Sequence, residues 1–540
     1  MTDLADLQRR RFLSDSARWA FAAATAAALP SAFARPAART DNQVLARVRG
    51  GRVRGQREQG INVFRGLRYG ADTAAYRFQP PRAELPWRGI ADALEFGSAA
   101  PQGGKEGPGS EDCLFLNVWT PALGDGGKRP ILFYIHGGGF NNGSGSDPLY
   151  DGSALCRRGD VVVVTVNHRL NLFGYLYLGA MGDPRYAASG NAGQLDLVQA
   201  LQWVREHAAT FGGDAANITV FGQSGGGAKI ATLMAMPAAK GLFQRAWTMS
   251  GQQVTAAGPR AAAQRTDIAM KAAGADDIDA LLRLSPAALL AAGKARDPSR
   301  VENSSLYVGP VLDDVVVPVH PFFPDAPAQS AHIPMVIGNT RDETRAFLSN
   351  DPANHELTWD TLPARLEQEQ YVDLRPQRVI DAYRRMYPQY TPSQVFFAAT
   401  TAGRSWRGAV EELEARARQP VGAAPTWAYQ LDWGSPLDGG RFGAFHTLDI
   451  PLVFDNAGQP GSRTGDGPDA TAVAAMMSSA LIHFARTGDP NHPGIARWEP
   501  YDLPRRQTLL FDTRSQLADD PRGGERELYR QAPFMQRGTF

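Results

Sequence analysis

The stretch from Asn217 to Met236 constrains this chain more than any other. Asn217–Phe221 has the length and β-branched content of a strand, and Ala228–Met236 reads as a helix. Between them stands Gly222-Gln223-Ser224-Gly225-Gly226, so the chain must turn from strand into helix within a few residues. Glycine permits the strained angles of such a turn. The serine at its apex is lifted above the sheet, and the Gly225 amide opens the helix, where the dipole favours a developing anion. A serine hydroxyl is a weak nucleophile until a base activates it. Taken alone, the pattern reads equally as an ordinary glycine turn. A phosphate loop is excluded because the Gly-Lys-Ser/Thr ending is missing.

The surrounding sequence supplies a sheet for this turn. Cys113–Trp119, Ile131–Ile135 and Val161–Val166 are apolar runs of strand length. The last two lack polar alternation and suit strands buried on both faces. Leu195–His207 has helical spacing, with Leu197, Leu201 and Val204 on one face, and Ala470–Arg486 reads as a long helix before a last strand near Thr508–Phe511. Residues 42–100 alternate short apolar runs with Gly and Pro, as in a small antiparallel sheet. Residues 255–420, rich in Ala, Arg and Pro, are expected to form helical insertions roofing the site. The expected class is α/β, with a central, mostly parallel sheet flanked by helices. The run Ile131–Ile135 stops at His136-Gly137-Gly138-Gly139, upstream of the serine turn. Three glycines leave backbone N–H groups free to face a tetrahedral oxyanion, and strand, loop and order match an oxyanion loop. With both motifs in order on suitable elements, the ordinary-turn reading weakens.

The 540 residues are 43% hydrophobic and carry a formal net charge of +1. Four Arg and three Asp within residues 1–34 account for that charge, leaving a neutral body with no electrostatic footprint for nucleic acid or anionic membrane. Arg9-Arg10-Arg11-Phe12-Leu13, the apolar stretch Trp19–Leu29 and Ala32-Phe33-Ala34 read together as a twin-arginine signal with its cleavage site. Residues 1–34 are therefore expected to engage the twin-arginine export machinery. The mature domain, 35–540, would reach the periplasm or beyond, with no stable membrane anchor. No linker or repeat divides it. Cys113 and Cys156 are expected to stay as reduced, partly buried thiols, and no His/Cys spacing suggests a metal. No cofactor is expected.

With these motifs in view, the chain resembles the type-B carboxylesterase/cholinesterase-like family of α/β-hydrolases. The likeness runs from about Asn42 to Arg530. Besides the two glycine motifs it is carried by Phe64–Tyr69, Ser110–Asn117, Asn167–Leu170, Phe211–Asp214, Gly338–Glu343, Gly443–His446 and Phe484–Asn491. The resemblance implies an α/β-hydrolase fold with large helical insertions over the active site, acting on a small-molecule ester through an acyl-enzyme. It assigns Ser224 as nucleophile, His446 as base and Glu343 as acid, with Asp342 the competing acid. The order Ser, Glu, His is that of the fold. From the residues alone, no choice among nine histidines is possible. It further implies Gly138, Gly139 and Gly225 as oxyanion donors, and ion pairs Arg77–Glu111 and Arg169–Asp196 that brace the loops. The chain departs from the family at Gln223, where Glu is usual; at Gly225, where Ala is frequent; and at Asp449, where a Glu follows the base. Cys113 has no upstream disulfide partner. Non-catalytic members of the family have typically lost the serine, which this chain keeps. Amide or lipid hydrolysis stays open, since fold cannot separate these reactions.

Overall fold

The computed structural model describes residues 42–298 and 305–536; the expected signal segment, 1–34, lies outside them. Thirteen strands among the described residues form one sheet. They are β1 (Gln43–Val48), β2 (Gly51–Glu58), β3 (Ile61–Arg68), β4 (Ile90–Asp92), β5 (Phe115–Thr120), β6 (Arg129–Ile135), β7 (Val162–Val166), β8 (Gly213–Gln223), β9 (Arg245–Met249), β10 (Met335–Thr340), β11 (Thr426–Leu431), β12 (Gln507–Phe511) and β13 (Gln516–Asp519). Their order is β1-β2-β3-β5-β7-β6-β8-β9-β10-β11-β12-β13, with β4 paired to β2. From β7 to β12 every pairing is parallel, and β1, β2, β3 and β5 add an antiparallel flank.

The central strands are apolar throughout because both faces of the sheet are covered. Ile131, Phe133 and Ile135 point into one core, with Ile218, Val220 and, from helix Ala192–His207, Leu197, Leu201 and Val204. Leu132 and Tyr134 point into the other, with Val163, Phe221, Trp247 and, from helix Pro468–Thr487, Met477, Leu481 and Phe484. The period-2 alternation of strand side chains thus splits one apolar run between two cores.

Four expectations need adjustment. The sheet expected within residues 42–100 is not separate, because β3 pairs with β5 and continues the central sheet. The strand at Gln507–Phe511 is not the last, since β13 returns antiparallel beside it. The helix expected from Ala228 begins at Gly225. Glycine is a poor helix former, but the packing described below forces glycine there and overrides propensity. Finally, residues 255–420 hold helices such as Pro259–Ala273, Pro376–Met386, Pro392–Thr401 and Arg407–Ala417, but strand β10 runs between them. Proline stands at or near the start of the first three, where its missing N–H costs nothing.

Each catalytic candidate follows the carboxyl end of a parallel strand, the usual position of sites in open α/β sheets. Ile135 of β6 pairs in register with Val166 of β7 and Gly222 of β8, so those three strands end level. The loop leaving β7 is fixed by a buried ion pair. Arg169 donates from Nη2 at 2.6 Å and Nε at 2.9 Å to Asp196 of helix Ala192–His207, and both side chains are buried. Arg77 and Glu111 form the other expected pair, with Arg77 also donating to the Leu282 and Leu284 carbonyls in the helical insertion. Both pairs brace loops, and neither touches Ser224.

Candidate active site

Ser224 sits between β8 and helix Gly225–Ala235 at φ +55°, ψ −124°, a conformation that costs a non-glycine residue about 1–3 kcal/mol. Its N–H donates to the Met249 carbonyl of β9 at 2.7 Å, which helps hold the turn. Gln223 and Gly225 are buried while Ser224 itself is partly exposed. The glycines are there for space. A Cβ at Gly226 would run into the Ile135 carbonyl, and one at Gly225 into the Gly139 carbonyl and Cα. The elbow and the loop after β6 therefore touch backbone to backbone.

That loop presents its amides in a determined direction. The His136 Nδ1–H donates to the Gly137 carbonyl at 2.8 Å. In a planar trans peptide the carbonyl and the next N–H point oppositely, so the Gly138 N–H faces away from His136. The Gly138 carbonyl accepts from the Asn141 and Asn142 amides, each at 3.2 Å, which turns the Gly139 N–H the opposite way by the same rule. Gly138 and Gly139 lie at φ +87° and +60°, where L side chains are disfavoured. The Gly225 N–H opens a helix and has no intrahelical acceptor.

His446 and Glu343 are brought together from residues 103 apart, with Nδ1–H donating to Glu343 Oε2. Glu343 is fully buried, and its Oε1 accepts from the Thr340 N–H at 2.8 Å and Asn339 Nδ2 at 3.2 Å. Burial opposes its ionisation. The adjacent His446, the Ser250 hydroxyl and the Thr340 amide outweigh that and hold the carboxyl below its ordinary range. Asp342, the rival acid, turns away; it pairs with Arg345 and accepts from the Ala444 N–H at 3.1 Å. Asp449 is buried, accepts from Tyr429 at 2.9 Å, and is pushed up to about 7 by burial and by the charge of Glu343.

Gln223 lies against the imidazole. Its Nε2 is 3.1 Å from His446 Nε2, and among the described residues no hydrogen bond joins Ser224 Oγ to His446. The same amide nitrogen stands 3.4 Å from His446 Nδ1, so it lies over the ring face; it is the hydrogen bond to Glu343 that holds the imidazole proton on Nδ1 and leaves the lone pair on Nε2. That tautomer lets Nε2 accept a serine proton.

Cys113 and Cys156 are both free and buried. Two features near the loop escaped the sequence reading. One is Lys229, fully buried in the elbow helix; the other is the stacked pair His136 and His168, ring centroids 4.8 Å apart. The only sequence signal for Lys229 was a cation at an otherwise apolar position of that helix.

Comparison with known proteins gives a consistent picture. The sequence profile of the carboxylesterase family matches residues 38–528. The chain is 36% identical over 504 residues to para-nitrobenzyl esterase of Bacillus subtilis, covering 88% of this chain and 96% of that one. It is 33% identical over 487 residues to fumonisin B1 esterase of Sphingopyxis macrogoltabida, covering 86% of each. Among solved structures, a carboxylesterase of Geobacillus stearothermophilus superposes with a TM-score of 0.78 at 37% identity, covering 90% of this chain and 99% of that one. The α/β-hydrolase fold expected from the resemblance is the one observed.

The contact at Gly225 yields a prediction. Gly225→Ala must push the 137–140 loop away from the elbow. It is expected to cost about 1–3 kcal/mol of stability, the usual effect of overpacking. Urea denaturation measures this, and an unchanged midpoint and slope would show that the loop yields without strain.

Proposed function

The chain belongs to the carboxylesterase family of carboxylic ester hydrolases, and we propose that it cleaves its ester through an acyl-enzyme on Ser224, with His446 as base and Glu343 as orienting acid. The observation that carries this reading is the tautomer. The hydrogen bond to Glu343 leaves a basic Nε2 on His446, and the serine is raised at the end of β8. As Ser224 Oγ attacks the ester carbonyl, the hydroxyl proton moves onto Nε2 of His446. Glu343 stabilises the imidazolium that results. The carbonyl oxygen becomes an oxyanion facing the N–H groups of Gly138, Gly139 and Gly225. Collapse of the tetrahedral intermediate breaks the bond to the alcohol oxygen, which leaves with the proton from His446. Water then attacks the acyl-enzyme as His446 takes its proton, and collapse of the second tetrahedral intermediate breaks the acyl–Ser224 Oγ bond as His446 returns a proton to Oγ, releasing the acid.

The substrate class is a small-molecule carboxylic ester. The likeness to para-nitrobenzyl esterase makes p-nitrobenzyl and p-nitrophenyl esters the first probes, with matched anilides to separate esterase from amidase activity. We further propose that residues 1–34 direct twin-arginine export and are cleaved near Ala34. The basis is the sequence pattern Arg9–Leu13 with Ala32–Ala34. N-terminal sequencing of periplasmic protein from a bacterial host should begin near Arg35, and an uncut chain held in the cytoplasm of such a host would count against it.

Ser224→Ala is expected to lower turnover of a p-nitrophenyl ester by several powers of ten while leaving the fold intact, and an organophosphate should label Ser224 in the parent. Mass mapping that finds another labelled serine would overturn the assignment. Glu343→Gln is expected to cost about four powers of ten in kcat, because the imidazole loses its orienting anion. Asp342→Asn, remote from the ring, should cost far less, and the reverse ranking would make Asp342 the acid.

Gln223→Glu tests the group that lies against the imidazole. A carboxylate there favours the imidazolium and raises the pKa of His446, so the base is free only at higher pH. The acidic limb of kcat/KM should move upward by about one pH unit or less. Cationic esters should gain relative to neutral ones of equal size. A limb that stays put, with the new carboxylate shown to be ionised, would mean that Gln223 only packs.

A further inference from the structure

Lys229 has no place in the chemistry above, yet it lies directly behind it. It is five residues beyond Ser224 in the elbow helix and fully buried. Its Nζ donates to the His136 carbonyl, the first of the oxyanion loop, at 3.2 Å, and stands 5.7 Å from the ring of Phe140, at the loop's other end. No salt bridge reaches it among the described residues. The ionisable groups nearest the cation come from the ends of β6 and β7. His136 and His168 are stacked, and each donates from Nδ1 to a backbone carbonyl, Gly137 and Arg169 respectively. Among the described residues their Nε2 atoms have no hydrogen-bond partner. Burial, and after it the Lys229 charge, keeps both imidazoles neutral. From the β7 loop, Arg169 is already neutralised by Asp196 of helix Ala192–His207. The other elements packed on the helix, β8, β9 and residues 237–239 and 328–330, carry only Asp214 and Arg245, both near the opposite ends of their strands. Beyond Ser224, the titratable pair is His446–Glu343.

A buried cation without a counter-ion is costly, so its retention points to a task. The loop it grips is the one whose amides face the developing oxyanion. We propose that Lys229 is a positioning residue for ester hydrolysis, whose ammonium anchors the His136 end of the oxyanion loop and finds its counter-charge only when the tetrahedral oxyanion forms. This rests on the assignment of Ser224 and Gly138–Gly139 made above. Charge complementarity that appears only in the transition state raises kcat and leaves KM alone. Burial, aided by the same charge, keeps His136 neutral, with its proton on Nδ1, where it fixes the Gly137 carbonyl and so aims the Gly138 amide. Burial holds Lys229 down at about 7. The free enzyme should therefore lose activity as pH rises through that value and the ammonium is discharged.

The test compares Lys229→Met and Lys229→Gln with the parent on one neutral p-nitrophenyl ester across pH. Lys229→Met should lower kcat at least about tenfold at pH 6.5 with KM unchanged, and the alkaline decline near pH 7 should disappear. Its thermal midpoint should equal or exceed the parent's, since a buried unpaired charge has been removed. Lys229→Gln keeps a donor for the His136 carbonyl without the charge, so it should remain as slow as Lys229→Met and equally flat with pH. Affinity for an aryl trifluoromethyl ketone, which Ser224 converts to an oxyanion adduct, should fall in proportion to kcat. A Lys229→Met enzyme within twofold of the parent in kcat overturns the proposal. So does a Lys229→Gln enzyme of parental kcat, which would reduce Lys229 to a neutral tether. If the parent itself forms no ketone adduct at Ser224, it is the nucleophile assignment that fails.

Discussion

The site depends on the ends of β6 and β8 meeting more closely than a methyl group would allow. Gly226 lies against the Ile135 carbonyl and Gly225 against Gly139, so two backbone segments distant in sequence form one block. In that block the serine, the helix amide and the loop amides keep fixed relative positions, as stabilisation of a developing charge demands. The strain at Ser224 and the entropy of so many glycines both cost stability. The sheet bears that cost because its strands are held by apolar cores on both faces.

Burial then sorts the ionisable groups around the block. Glu343 stays an anion because His446 and two amide donors face it. Asp449, close to the same anion, is driven toward its neutral form, and the Tyr429 hydroxyl is what it retains. On the other side of the elbow, burial favours the neutral forms of His136 and His168 and lowers Lys229, which has no salt-bridge partner among the described residues. The elbow thus sits between an anion oriented at the imidazole and a cation under the oxyanion loop. Proton transfer to His446 and charge build-up on the carbonyl oxygen separate charge in the matching sense.

The fold was largely legible because its signals are local. Runs such as Ile131–Ile135 and Val161–Val166 lack polar alternation, which only a doubly covered sheet explains. The serine turn and the three glycines declare themselves by spacing. The rest of the site was not readable from residues alone. Nothing near His446 distinguishes it from eight other histidines, and Glu343 has an acidic neighbour. Both came from family resemblance, and the structure then brings Glu343 onto His446 and turns Asp342 to Arg345. The antiparallel flank looked like a separate sheet because register between β3 and β5 is a long-range property, set by pairing and absent from either strand's composition.

The sequence by itself determined where backbone must be bare of side chains and which segments must be buried on two faces. Those are steric and solvation demands that each residue carries wherever it goes. Tertiary structure decided which partners each group meets: Gln223 against the imidazole of His446, Gly225 against Gly139, and Lys229 beneath His136 with no carboxylate to neutralise it among the described residues. A side chain's charge, tautomer and reach depend on the atoms within a few ångströms of it. Here those atoms come from strands and loops separated by tens to hundreds of residues.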